Sequence, residues 1–141
     1  MAAELFRARI QEDPAFRGVD IVVASAGLDA HEGALAAESA QRVLKARGLS
    51  VEDHRSQRFD RRFAEFDLIL VMTEQHKTRI LLEWPETAAN VFTLREYAGI
   101  KGENDIEDPF MQGDEAYERA YKSIDEAVTK AVERLRKAIG R

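Results

Sequence analysis

Asp67-Leu68-Ile69-Leu70-Val71-Met72 is an apolar run of strand length without polar alternation, the pattern of a strand covered on both faces. Strands of that kind belong to parallel sheets sandwiched between helices, so this run restricts the fold more than any other stretch. Two further runs fit the same sheet. Val19-Asp20-Ile21-Val22-Val23-Ala24 reads as a strand ending in a Ser25-Ala26-Gly27 turn, and Val91-Phe92-Thr93-Leu94 as a third strand.

Helical patterns lie between the strands. Residues 35 to 47 form a helix with Val43 and Leu44 inward and Gly48 where a left-handed cap is expected. Residues 60 to 65 suit a shorter helix, and Thr73 is placed to cap one from 74 to about 83 that buries Ile80, Leu81 and Trp84. The last helix is the clearest. From a candidate cap at Asp114, apolar or aromatic residues recur at Tyr117, Tyr121, Ile124, Val128, Ala131, Leu135 and Ala138, in spacings of four and three. The alternation predicts an α/β fold with a parallel sheet.

Two features sit uneasily with that sheet. Three strands against four or five helices is fewer than usual. Ala2, Leu5, Phe6 and Ile10 also begin a helical pattern at Met1, with no residue ahead to cap its first N–H groups. Together they lead us to expect that the chain starts inside an element, after a lost N-terminal segment.

At 141 residues the chain is one domain, 1–141, able to bury about two thirds of the surface that the unfolded chain exposes. The longest run of large apolar residues, Leu68 to Met72, is too short to span a bilayer, and Glu4, Arg7 and Arg9 fit neither a signal peptide nor a transit peptide. We therefore expect a cytoplasmic protein with no membrane partner. A net charge of -5 with interspersed signs offers no basic face, so no nucleic-acid partner is expected. Cysteine is absent, which excludes disulfides, thiolate catalysis and cysteine-based zinc sites within these residues. His31, His54 and His76 have no mutual metal-ligand spacing, and the carboxylates Asp105, Glu107, Asp108, Asp114 and Glu115 lack a defined ligand pattern. No metal or other cofactor is expected.

Asp105-Ile106-Glu107-Asp108-Pro109-Phe110 holds a carboxylate on a proline-stiffened turn between a strand and the last helix. Proline fixes its own φ and pushes the preceding residue toward extended backbone, so Asp108 is presented from a loop, where a general acid is held still. Asp-Pro is also an ordinary turn dipeptide. On these residues alone both readings stand.

Taken together, Ser25-Ala26-Gly27, the strand Phe66 to Thr73 and Asp108-Pro109-Phe110 resemble, in order and spacing, the low-molecular-weight protein phosphatases. That family shares its fold with thioredoxin-coupled arsenate reductases. Met72-Thr73-Glu74-Gln75-His76-Lys77 and Val91-Phe92-Thr93-Leu94-Arg95-Glu96-Tyr97 are similar to its protein-arginine-phosphatase branch. The resemblance covers the whole chain and implies a three-layer Rossmann-like parallel sheet acting on a phosphorylated protein substrate. It implies that Asp108 is the general acid and base, that Phe110 walls the substrate site and that Ser25 supports the phosphate loop. Phe110-Met111, lacking the tyrosines of tyrosine-specific relatives, favours phosphoarginine over phosphotyrosine.

The chain also departs from the family. Members open with an interior strand and a Cys-x5-Arg-Ser/Thr phosphate loop, whose thiolate attacks phosphorus while backbone N–H groups and a bidentate arginine hold the oxygens. Met1-Ala2-Ala3-Glu4-Leu5-Phe6 resembles the residues just after that loop. As given, the chain has no nucleophile, and no phosphatase turnover is expected of it. A non-catalytic binding remnant is the alternative, and arsenate reduction is disfavoured because it needs further cysteines downstream. An absent interior strand would leave an open slot in the sheet, which invites dimerisation.

Overall fold

The computed structural model describes residues 1–28, 38–49, 57–109 and 112–140. Six helices and a short parallel sheet are formed among them. Helix α1 spans Ala2–Glu12, α2 Glu38–Lys45, α3 Arg61–Ala64, α4 Glu74–Glu83, α5 Leu94–Tyr97 and α6 Asp114–Ala138. Strand β1, Ile69–Val71, pairs in parallel with β2, Val91–Thr93, in the register Ile69 to Val91 and Val71 to Thr93.

The strand side chains divide between two apolar layers, as a period of two requires. Ile69, Val71 and Val91 face one cluster with Ile80 of α4, with Phe59, Phe66, Leu81 and Trp84 packed at its margin. Leu68, Leu70, Met72 and Phe92 lie against the other, which is built from α1, α2, α5 and α6. The α/β sandwich inferred from the run 67–72 is therefore present, with helices on both faces. Leu5 and Phe6 of α1, Val43 and Leu44 of α2, and Leu94 of α5 are buried together with Tyr117, Tyr121, Ile124 and Val128 of α6. The apolar stripe of α6 is core as far as Val132, Leu135 is half-buried, and Ala138 lies in solvent.

Helix boundaries follow local chemistry. The Thr73 hydroxyl accepts the His76 amide at 3.1 Å, and Asp60 caps α3 by accepting from the Arg62 amide. Gly48 adopts φ 74°, and the Leu49 N–H reaches back to the Leu44 carbonyl at 2.9 Å, closing α2 in a Schellman turn that needs a residue with positive φ.

Three expectations are corrected. Residues 19–24 form no strand: Ile21 and Val23 pack against the core and Val22 is 73% exposed, a strand-like alternation without a ladder. The Val23 carbonyl instead accepts from Arg7 Nη2 at 2.8 Å, and parallel bridging begins only at Gly27 with Arg58. An extended segment becomes a strand only where a neighbour supplies backbone partners, and none does so here among the described residues. Second, Leu94 is not the end of β2 but the first residue of α5, because Thr93 and Glu96 form a reciprocal capping box that turns the chain. Third, the cap of α6 is Gly113, at φ 87°, and not Asp114. The Asp114 carboxylate is turned away to α2, accepting from Ser39 Oγ at 2.6 Å and from Arg42 Nη2 and Nε at 2.7 and 3.1 Å.

That clasp ties α2 to the start of α6. Hydrogen bonds from Arg42 first, then from Ser39, hold the Asp114 carboxyl down at about 2, against an ordinary value of 3.8. A depressed carboxylate contributes stability that is complete above its unfolded pKa and is lost as pH falls through the folded one. We expect the Asp114 carboxyl carbon to titrate in NMR with a midpoint near 2, and Arg42→Met to raise it toward the ordinary value. An unchanged midpoint in Arg42→Met contradicts the clasp.

Candidate functional site

In parallel α/β sheets the crevice outside the carboxyl ends of the strands is where ligands are bound, because the following helices aim their N-termini there. Here β1 and β2 each run directly into a helix, α4 and α5, through capping threonines. The loop carrying Asp108 is fastened at that end. The Ile106 N–H donates to the Met72 carbonyl at 2.8 Å, just past β1, and buried Ile106 anchors the loop in the core. Asp105 Oδ1 accepts the Glu74 amide, the first of α4, at 2.8 Å, and Asn104 Nδ2 donates to Glu74 Oε1 at 2.8 Å.

Beyond Asp108 the loop turns toward α6. Gln112 N–H donates to the Pro109 carbonyl at 2.9 Å, and Gln112 Nε2 to the Asp108 carbonyl at 3.2 Å. Asp108 is exposed. Its charge reaches the buried Tyr117: burial, and secondarily Asp108, pushes the phenol of Tyr117 above its ordinary value. A cavity of about 210 Å³ opens between the loop and α6, lined by Asp105, Glu107, Asp108, Ala116, Arg119 and Ser123, among others. It is smaller than the roughly 300–1,000 Å³ of a typical small-molecule site, and suits a side chain better than a nucleotide cofactor.

The other predicted site residues are placed less fully. Ser25 is half-buried, and its carbonyl accepts from Gln57 Nε2 at 3.3 Å in the strip where Gly27 bridges Arg58. It is not among the residues lining the Asp108 cavity. Phe110 and Met111 lie outside the described residues, and so do His31 and His54, for which no metal role is expected. His76, in the first turn of α4, is half-buried. The contributions of Asn104, Asp105, Gln112 and Tyr117 were not read from the sequence, where Asp105 was only one of five clustered carboxylates.

Residues 1–140 match the family model described as low molecular weight phosphotyrosine protein phosphatase. The chain belongs to that family. It is 33% identical over 130 residues to a protein-arginine-phosphatase of Geobacillus stearothermophilus, covering 91% of this chain and 84% of the relative. It is 36% identical over 108 residues to the low molecular weight protein-tyrosine-phosphatase PtpB of Staphylococcus epidermidis, covering 77% of this chain and 75% of that one. Among solved structures, a YwlE arginine phosphatase mutant with a phosphorylated active-site serine superposes with a TM-score of 0.86 at 28% identity, over 96% of this chain and 86% of its own. This low-molecular-weight phosphatase chain thus carries the family fold and no cysteine.

Proposed function

We propose that this chain is the acid-bearing body of a protein phosphatase acting on phosphoarginine through a cysteinyl-phosphate intermediate. The observation that carries the reading is Asp108, exposed on a loop hydrogen-bonded to the carboxyl end of β1 and the start of α4. In such a reaction a thiolate attacks phosphorus and the P–N bond to the guanidine breaks. Protonated Asp108 gives its proton to the departing nitrogen, so that the guanidine leaves neutral and not as its anion. The resulting Asp108 carboxylate then takes a proton from water as that water attacks the phosphocysteine, and thiolate and inorganic phosphate separate. The phosphorylated active-site serine of the mutant relative supports a covalent phosphoenzyme in the family.

The nucleophile of that scheme is not supplied by any residue of this chain, which contains no cysteine. The same observation favours a second reading, a non-catalytic module that binds phosphorylated protein through the Asp108 face. Phosphoarginine is preferred to phosphotyrosine because Phe110-Met111 replaces the tyrosines that follow Asp-Pro in tyrosine-specific relatives. The test is a fusion in which an opening strand and a Cys-x5-Arg phosphate loop of the family pattern precede Met1. We expect it to release phosphate from phosphoarginine peptides in preference to phosphotyrosine peptides. The reverse preference sinks the arginine assignment, and a folded fusion that binds but hydrolyses neither supports the binding module.

A further inference from the structure

The loop that presents Asp108 is held by a set of contacts that no turn chemistry requires. Over residues 104–106, three hydrogen bonds of 2.8 Å leave the loop for the β1–α4 junction, 30 or more positions back in sequence. Two of them use backbone groups that must be satisfied whatever the loop does: the Met72 carbonyl and the first amide of α4. Thr73 takes the third-position amide of the same helix, so Thr73 and Asp105 divide its first orphan donors between them. A carboxylate on a helix N-terminus is also favoured by the helix dipole, and a charge-assisted hydrogen bond is shorter and stronger than a neutral one.

We propose that Asp105 is a positioning residue for Asp108: by capping α4 from the far side of the loop, it fixes where the Asp108 carboxylate stands relative to the carboxyl end of β1. The proposal rests on the reading of Asp108 as the acid. The geometry distinguishes Asp105 from Glu107, which is exposed, and from Asp114, whose carboxylate is held by α2. Only two residues separate Asp105 from Asp108, and Pro109 stiffens the step beyond, so displacement of the cap is passed to the acid rather than absorbed. Across the loop, Gln112 holds the Asp108 carbonyl from the α6 side. The acid is therefore slung between α4 and α6, with Asp105 as the α4 attachment.

The buried phenol of Tyr117 reports on this arrangement in the chain as it stands, because Asp108 is the charged group that adds to the effect of burial in raising its pKa. The three tyrosines are labelled at 13Cζ and titrated by NMR, with Tyr97 and Tyr121 assigned by phenylalanine substitution. Asp108→Asn sets the scale by lowering the Tyr117 midpoint. We expect Asp105→Ala to lower it by at least half as much, and Asp105→Asn, which keeps an oxygen for the Glu74 amide but no charge, to leave it near the parent value. If Asp105→Ala does not fold, Asn104→Ala is read in its place and is expected to lower the midpoint partway. A Tyr117 midpoint unmoved in a folded Asp105→Ala, or lowered equally by Ala and Asn, overturns the proposal. Since no turnover is read, this result stands apart from the phosphatase reading, which fails instead if Asp108→Asn leaves the fusion's rate unchanged.

Discussion

Asp108→Asn, placed in the fusion that supplies a Cys-x5-Arg loop ahead of Met1, is expected to lower kcat by about 10²–10⁴-fold, the usual contribution of a positioned general acid or base. That corresponds to about 3–5 kcal/mol of transition-state stabilisation. Asparagine is nearly isosteric and can neither give nor take the proton, so the loop anchorage at Ile106 and Asp105 is expected to survive the change. The loss should fall on kcat rather than KM, because the missing interaction is made only while the P–N bond breaks. It should also shrink with an aryl phosphate whose phenolate leaves unaided, since that leaving group needs no proton. A mutant that loses equally with both substrates points to a broken loop instead of a missing acid.

Leu94→Ala is expected to lower the free energy of unfolding by about 2–5 kcal/mol, a large part of the roughly 5–15 kcal/mol that holds a domain together. Leu94 is 0% exposed and sits where β2 turns into α5, against the core face of α6. Alanine is a better helix former than leucine, so a loss cannot be assigned to propensity. The capping box is made by Thr93 and Glu96, not by the Leu94 side chain, and stays available. What remains is a cavity between α5 and the core face of α6. Leu82, 79% exposed on α4, is the control, and Leu82→Ala should change stability by no more than about 0.5 kcal/mol. Urea melts of the two variants with equal m-values decide the matter, and equal midpoints refute the packing assigned here.

Much of this molecule could be read from pattern because the determinants are local. The run 67–72 declared a strand with both faces covered, Thr73 its following helix, Gly48 a left-handed turn, and the stripe from Tyr117 to Ala131 a core helix. Two of the failures share a physical cause, a partner distant in sequence, whereas the end of β2 was moved by the local capping box of Thr93 and Glu96. Val19 to Ala24 has the composition of a strand, yet a ladder needs a neighbour on its edge. Asp114 looked like a cap because Asp before an apolar stripe usually is one, but Arg42, on another helix, claims its carboxylate. Asp108 was singled out by proline stiffening and by family resemblance. The Asp105 contact that locates it joins residues 31 apart, and no periodicity announces it.

The central claim is that this chain holds the proton-transfer half of a phosphatase and lacks the half that attacks phosphorus. Phosphate release from a phosphoarginine peptide and from an aryl phosphate, measured side by side for the purified 141-residue chain and the fusion, tests it most directly. The account predicts release by the fusion and none by the chain alone. Release by the chain alone that disappears in its Asp108→Asn variant would contradict it, because some residue other than cysteine would then be doing the attacking.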